Sequence, residues 1–128
     1  MALDYGSART GVAISDATGT LARPLTVVER AASEPGLRRL AELVTAEGAE
    51  RIVVGLPLTL RGEHGAQAEE TARFVEALRA TVDVPVESFD ERFTTALAAS
   101  SPVSRAPEDA RAAAHLLESY LTWASGNP

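Results

Sequence analysis

Met1-Ala2-Leu3-Asp4-Tyr5-Gly6 opens the chain and leads through Ser7-Ala8-Arg9-Thr10 into Gly11-Val12-Ala13-Ile14-Ser15-Asp16. Two short apolar runs with a turn-forming Gly-Ser-Ala-Arg segment between them predict a β-hairpin. In the second run Val12 and Ile14 alternate with Ala13 and Ser15, the period of a strand. Asp4 sits inside the first run, where water is scarce. A lone buried carboxylate is costly unless it is paired, protonated or bound to a cation. A strand interior offers an aspartate little structural justification of its own.

Beyond the hairpin, Ala17-Thr18-Gly19-Thr20 reads as a turn, with Asp16 an ordinary turn acid, and Pro24 to Glu29 as a third strand. Pro24 fits only a strand start or an edge. Ser33-Glu34-Pro35 marks a helix start, and Leu37, Leu40, Ala41 and Val44 recur at helical spacing until Gly48. Arg51-Ile52-Val53-Val54 reads as a strand buried on both faces. A second amphipathic helix carries Ala68, Ala72, Val75 and Leu78, and a fifth strand spans Val84 to Phe89. A short helical stretch follows at Thr94 to Ala99, then a loop through Ser100 and Arg105. Pro107-Glu108-Asp109 opens a last helix of about four turns. The expected architecture is a single α/β domain over residues 1–128. Its five-stranded mixed sheet is a three-strand meander plus two crossover strands, flanked by helices. The first strand begins at Met1 with no apolar residues before Ala2, which predicts a frayed edge or a misassigned start codon.

The acids gather at the ends of these elements. Asp4 ends the first strand, Asp90 and Glu91 end the last, and Asp109 lies in the first turn of the last helix. At 100° per residue Asp109 shares a line with Ala113, Leu116 and Tyr120, so it faces the sheet. In open α/β sheets ligands collect at such strand ends. Carboxylates converging there repel one another unless divalent cations hold them. Mg²⁺ or Mn²⁺, expected as two ions, suits an all-oxygen set, and the matching chemistry is metal-assisted displacement at phosphorus. Singly, each acid has a plainer reading: a dipole partner for Asp109, a cap for Asp90, an ion-pair partner of Arg92 for Glu91. Strand alternation puts Asp90 and Glu91 on opposite faces, so one of the two points at the metals, and both stay candidates.

The chain of 128 residues is 45% hydrophobic and 23% charged, as expected for one globular domain. It has no cysteine, which excludes disulfides, thiolate zinc sites and a cysteine nucleophile. No apolar run spans a bilayer, no membrane association is expected, and a cytoplasmic location follows by default. A net charge of −6 argues mildly against nucleic acid. All 12 basic residues are arginines, however, the side chain best shaped for phosphate. His64 and His115 lack paired-ligand spacing, and Gly55-Leu56-Pro57 lacks the Gly-Lys ending of a Walker loop.

Taken together and in order, Leu3-Asp4-Tyr5-Gly6, Arg9, Gly11-Val12-Ala13, Pro24-Leu25, Val54-Gly55-Leu56-Pro57, Asp90-Glu91-Arg92, Thr94-Thr95, Asp109, Ala112-Ala113 and Leu116-Leu117 resemble the YqgF/RuvX proteins, RNase H-like nucleases. The resemblance covers nearly the whole chain. It implies an RNase H-like fold and a divalent-metal-dependent endonuclease acting on the 5′ end of precursor 16S ribosomal RNA or on four-way (Holliday) DNA junctions. It implies a catalytic and metal-binding cluster of Asp4, Asp109 and an acid of the Asp90-Glu91 pair. Arg9, Arg92, Thr94 and Thr95 become candidates for substrate phosphate. A junction resolvase is expected to act as a homodimer. The stretch from Thr95 to Asp109 is shorter than the family's usual connection and holds Arg105 as its one intervening base. Two other readings compete: an inactive nucleic-acid-binding module, suggested by that short stretch, and a nucleotide-binding half-domain of the actin/hexokinase type, suggested by the Asp-x-Gly hairpin.

Overall fold

Three antiparallel strands and two parallel ones share one sheet in this computed structural model, which describes residues 1–57, 65–91 and 107–126. The strands are β1 (Ala2–Asp4), β2 (Arg9–Ser15), β3 (Ala22–Glu29), β4 (Ile52–Leu56) and β5 (Val86–Asp90). Their spatial order is β3-β2-β1-β4-β5. β1, β2 and β3 form the meander, while β4 lies parallel to β1 and β5 parallel to β4. Helix α1 (Glu34–Glu47) leads into β4, α2 (Ala66–Arg79) leads into β5, and α3 (Glu108–Gly126) follows. This is the expected meander with two crossover strands. The stretch at Thr94–Ala99, the loop through Arg105, and His64 lie outside the described residues.

Strand alternation sorts the core onto two faces. Leu3, Val12, Ile14 and Val54 meet Leu40, Leu43, Phe74 and Leu78 of α1 and α2 on one side. Ala2, Ala13, Val53 and Phe89 meet Ala113, Leu116, Leu117 and Tyr120 of α3 on the other. The small residues Ala2 and Ala13 let α3 come close to the sheet centre. Leu3 is fully buried at the middle of β1, and such burial contributes about 1.5–3 kcal/mol. Among the described residues no helix is long and apolar enough to cross a membrane.

Local chemistry explains the boundaries. Ser33 caps α1, its Oγ accepting from the Gly36 amide at 3.2 Å, and Gly48 ends the helix at a left-handed φ of 65°. Pro24 lies on β3, the edge strand, opposite Ala13 and beside a register shift at Val12/Ala13. A bulge on an edge tolerates the missing amide. Three expectations move. β3 begins at Ala22, two residues early, and β5 runs Val86–Asp90 rather than Val84 to Phe89. On α2 Ala72 is exposed, and the buried line steps through Ala68, Thr71, Phe74, Val75 and Leu78. Thr71 buries its hydroxyl at little cost because it donates to the Gln67 carbonyl at 2.8 Å. The start of β1 is not frayed. Met1 is 6% exposed and its amino group donates to the Arg51 carbonyl at 3.0 Å.

Candidate active site

β1 is the central strand, and its last residue, Asp4, points to the same face as Ala2, the face covered by α3. Its antiparallel partner on β2 is Gly11. On the other side Leu3 pairs with Val54, so one further step sets Asp4 beside Gly55 of β4. Asp4 is therefore flanked on both neighbouring strands by residues without a side chain.

Each glycine makes room for an acid. A Cβ at position 11 would lie 1.7 Å from the Asp109 carbonyl oxygen, so the first turn of α3 rests directly on the bare backbone of β2. A Cβ at position 55 would lie 2.7 Å from Glu91 Oε1 and 3.1 Å from Leu116 Cδ2, so the Glu91 side chain occupies the space above Gly55. Glu91 directly follows β5. Phe89 belongs to the α3 face, and alternation turns Asp90 toward the opposite one. Asp4, Glu91 and Asp109 thus lie toward the α3 face at this end of the sheet, with Asp4 acting electrostatically on Glu91 and Asp109 on Asp4, while alternation turns Asp90 to the other face.

The electrostatics record that convergence. Burial raises the Asp4 carboxyl above the usual carboxylate range, and the charge of Asp109 raises it further. Burial likewise raises Glu91, with Asp4 next and then Asp90 adding to the shift. Asp4 stands between the other two, repelled by one and repelling the other. Asp109 is partly screened, because Arg9 Nε, at the start of β2, lies 3.3 Å from its Oδ2. That pair is largely solvent-exposed, so its contribution to stability is small.

Carboxylate oxygens alone form this donor set, which suits a hard divalent cation such as Mg²⁺ or Mn²⁺ rather than a thiophilic metal. The raised acids point the same way, since a cation offsets the burial that chiefly raises them and the repulsion that adds to it. Among the described residues no three acidic or histidine side chains are already gathered into a metal cage. Asp109 is instead engaged by Arg9. A cavity of about 750 Å³ opens elsewhere, at the far end of the sheet around Met1, Arg51 and Tyr120. It contains none of these acids. The convergent acids, not that cavity, mark the candidate site.

Arg92, Thr94 and Thr95 lie outside the described residues. The room the two glycines leave for the acids escaped sequence reasoning, where Gly55 entered as part of a family-like stretch and as a loop without the ending of a phosphate-binding one. One signal was available: counting by two from Phe89, the last apolar residue of β5, reaches Glu91 and passes over Asp90.

A family model described as "RuvX: Holliday junction resolvase" matches residues 1–123. A Chloroflexus aggregans protein named "Putative pre-16S rRNA nuclease" is 50% identical over 77% of this chain and 69% of its own length. A protein of the same name from Chloroflexus aurantiacus is 42% identical over 100% of this chain and 89% of its own. A third, from Desulforudis audaxviator, is 43% identical over 94% of this chain and 92% of its own. Among solved structures, Thermus thermophilus RuvC in complex with a Holliday junction substrate superposes with a TM-score of 0.62 at 16% identity, covering 98% of this chain and 94% of that one. At that identity the likeness speaks for the fold, which is RuvC-like and so RNase H-like.

Proposed function

Because the chain belongs to the RuvX family, we propose that it is a divalent-metal-dependent endonuclease that hydrolyses phosphodiester bonds, acting at the 5′ end of precursor 16S ribosomal RNA. The observation that carries this reading is the convergence of Asp4, Glu91 and Asp109 over Gly11 and Gly55. The substrate follows the names of the relatives that share 42–50% of their residues with it. Asp4, at the centre, would hold Mg²⁺ or Mn²⁺ with Glu91 and Asp109 on either side. The face of β5 on which Glu91 lies favours it over Asp90 for that role.

When bound, the cation supplies Lewis-acid activation of the phosphodiester. The remaining work falls to the side chains. The half-buried setting of Asp4 and Glu91 strengthens their hold on a cation, because the local dielectric is low. Arg9 is 66% exposed and already lies at the rim of the acid set, a place from which its guanidinium can reach a phosphate oxygen. Substrate approach would then exchange one anion, Asp109, for another.

A second reading is favoured by the description of the family model: cleavage of four-way DNA junctions, which brings a homodimer with it, since symmetric cutting takes two sites. One experiment addresses both. The purified protein and its Asp4→Asn variant are incubated with Mg²⁺ or Mn²⁺ on a precursor 16S RNA fragment and on a four-way DNA junction. Cleavage of RNA by the wild type and by no Asp4→Asn sample is expected. Equal cleavage by Asp4→Asn would sink the catalytic assignment, and cleavage of the junction alone would replace RNA by DNA.

A further inference from the structure

The turn between β1 and β2 is tied down more thoroughly than an exposed four-residue turn needs. Tyr5 directly follows Asp4, and its ring stacks on Phe74 of α2 with centroids 4.4 Å apart and planes 20° from parallel. Its hydroxyl donates to Glu70 Oε2 at 2.7 Å. Glu70 accepts a second side-chain hydrogen bond from Ser7, inside the turn, and these two bonds hold its carboxyl below the usual range. The Thr10 hydroxyl lies 3.4 Å from both the amide and the carbonyl of Gly6. The Ala8 carbonyl accepts from the Arg30 amide at 3.0 Å. Gly6 itself is tightly enclosed, since a Cβ there would lie 2.5 Å from the Arg9 carbonyl oxygen.

Loops that only connect strands are normally free to vary and move. This one joins Asp4, immediately before it, to Arg9, at its end, and Arg9 reaches Asp109. A purely structural role for Tyr5 is met by the ring alone, for phenylalanine would stack on Phe74 equally well. The hydroxyl and the Glu70 carboxylate add nothing to the core.

Resting on the nuclease reading above, we infer that Tyr5 and Glu70 are positioning residues, a clamp against α2 that holds the Gly6–Arg9 turn so that Asp4 and Arg9 face the same phosphate. The clamp also couples α2 to the turn that follows Asp4.

Tyr5→Phe keeps the stack and removes the hydroxyl. Glu70→Ala removes the acceptor from a surface position, and Glu70→Gln retains an acceptor. Amide hydrogen exchange of residues 6–9 and steady-state cleavage with Mg²⁺ are measured for all three. Faster exchange in Tyr5→Phe and Glu70→Ala is expected, with kcat down roughly tenfold at unchanged KM, the signature of lost orientation. Glu70→Gln is expected to recover most of both. In an Arg9→Ala background the Tyr5→Phe effect on kcat is expected to shrink, since the part that runs through Arg9 is already lost. Unchanged exchange in both clamp variants overturns the inference, and so does faster exchange with unchanged kcat. If the wild type cleaves neither substrate, the nuclease reading has failed, and the exchange of residues 6–9 alone supports or overturns the clamp.

Discussion

An alanine at position 11 would set its Cβ 1.7 Å from the Asp109 carbonyl oxygen, 2.2 Å from the carbonyl carbon and 2.9 Å from the Ala110 amide nitrogen. Real Cβ contacts stay beyond 3.0 Å, so going from 1.7 to 3.0 Å the gap must open by at least 1.3 Å. All three atoms belong to the backbone, and no change of rotamer relieves them. β2 is hydrogen-bonded to β1 on one side and β3 on the other, so the start of α3 is the part that yields. Overpacking of this kind costs about 1–3 kcal/mol. Asp109 travels with the helix, and a displacement of about 1 Å in a reacting constellation lowers rates by about a hundredfold. Thermal unfolding and single-turnover cleavage of Gly11→Ala measure the two consequences separately. Gly65→Ser is the companion: a Cβ at position 65 meets nothing within 4 Å, and the N-cap of α2 makes no side-chain hydrogen bond. It should gain a few tenths of a kcal/mol and leave cleavage unchanged. Wild-type melting and wild-type cleavage in Gly11→Ala would refute the packing of α3 on β2. Lower stability with undiminished cleavage would instead remove Asp109 from the catalytic set.

Asp4→Asn should melt higher than the wild type when divalent cations are absent, because it removes the middle charge of three. The sign follows from the raised carboxyls. Asp4 and Glu91 keep their protons longer in the folded chain, so their favourable contribution is complete below the unfolded values of about 4 and falls as pH rises through the folded ones. The advantage of Asp4→Asn should therefore be largest near about pH 7 and vanish in acid, as melting curves across pH would show. Adding Mg²⁺ or Mn²⁺ should reverse the order, stabilising the wild type by about 2.7 kcal/mol at one hundred times its Kd and Asp4→Asn far less. A cation-independent melting point would remove the metal from the reading. Ser33→Ala deletes the α1 cap and should cost about 1 kcal/mol in chemical denaturation. α1 packs on the sheet face opposite the one that α3 covers, which predicts unaltered cleavage at a permissive temperature.

The residues that announced themselves were those whose chemistry is local. Ser33 and Gly48 bounded α1 because a cap and a left-handed residue are decided within one turn of chain. Period-2 patterning located the meander, and the line from Asp109 through Ala113, Leu116 and Tyr120 correctly placed the buried face of α3, with Asp109 half-buried at its rim. Element ends slipped where patterning was ambiguous. Val84 is as apolar as Val86, yet pairing with β4 begins at Val86. Ala72 matched the helical period of α2, but Thr71 and Phe74 are the residues the sheet covers, because a hydroxyl that bonds back to its own helix can be buried and an alanine forgoes little by facing out.

What could not be read locally is the part of the site made by absence. Gly11 and Gly55 stand in the sequence as members of stretches that resemble the family, with nothing local to say that their lack of a side chain makes room for acids. Only the strand order β3-β2-β1-β4-β5 puts them on either side of Asp4. Their joint effect is to lower the floor around one carboxylate so that a helix terminus and a strand-end acid can both reach it. Any side chain at either position would hold Asp109 or Glu91 away. The costly arrangement noticed first, an aspartate inside an apolar strand, is therefore built into the fold from three strands at once. Relaxing it would mean neutralising Asp4, which would ease folding, or filling a glycine, which would push α3 or Glu91 away. A site of like charges that the fold assembles against their repulsion is the arrangement expected where a cation completes it.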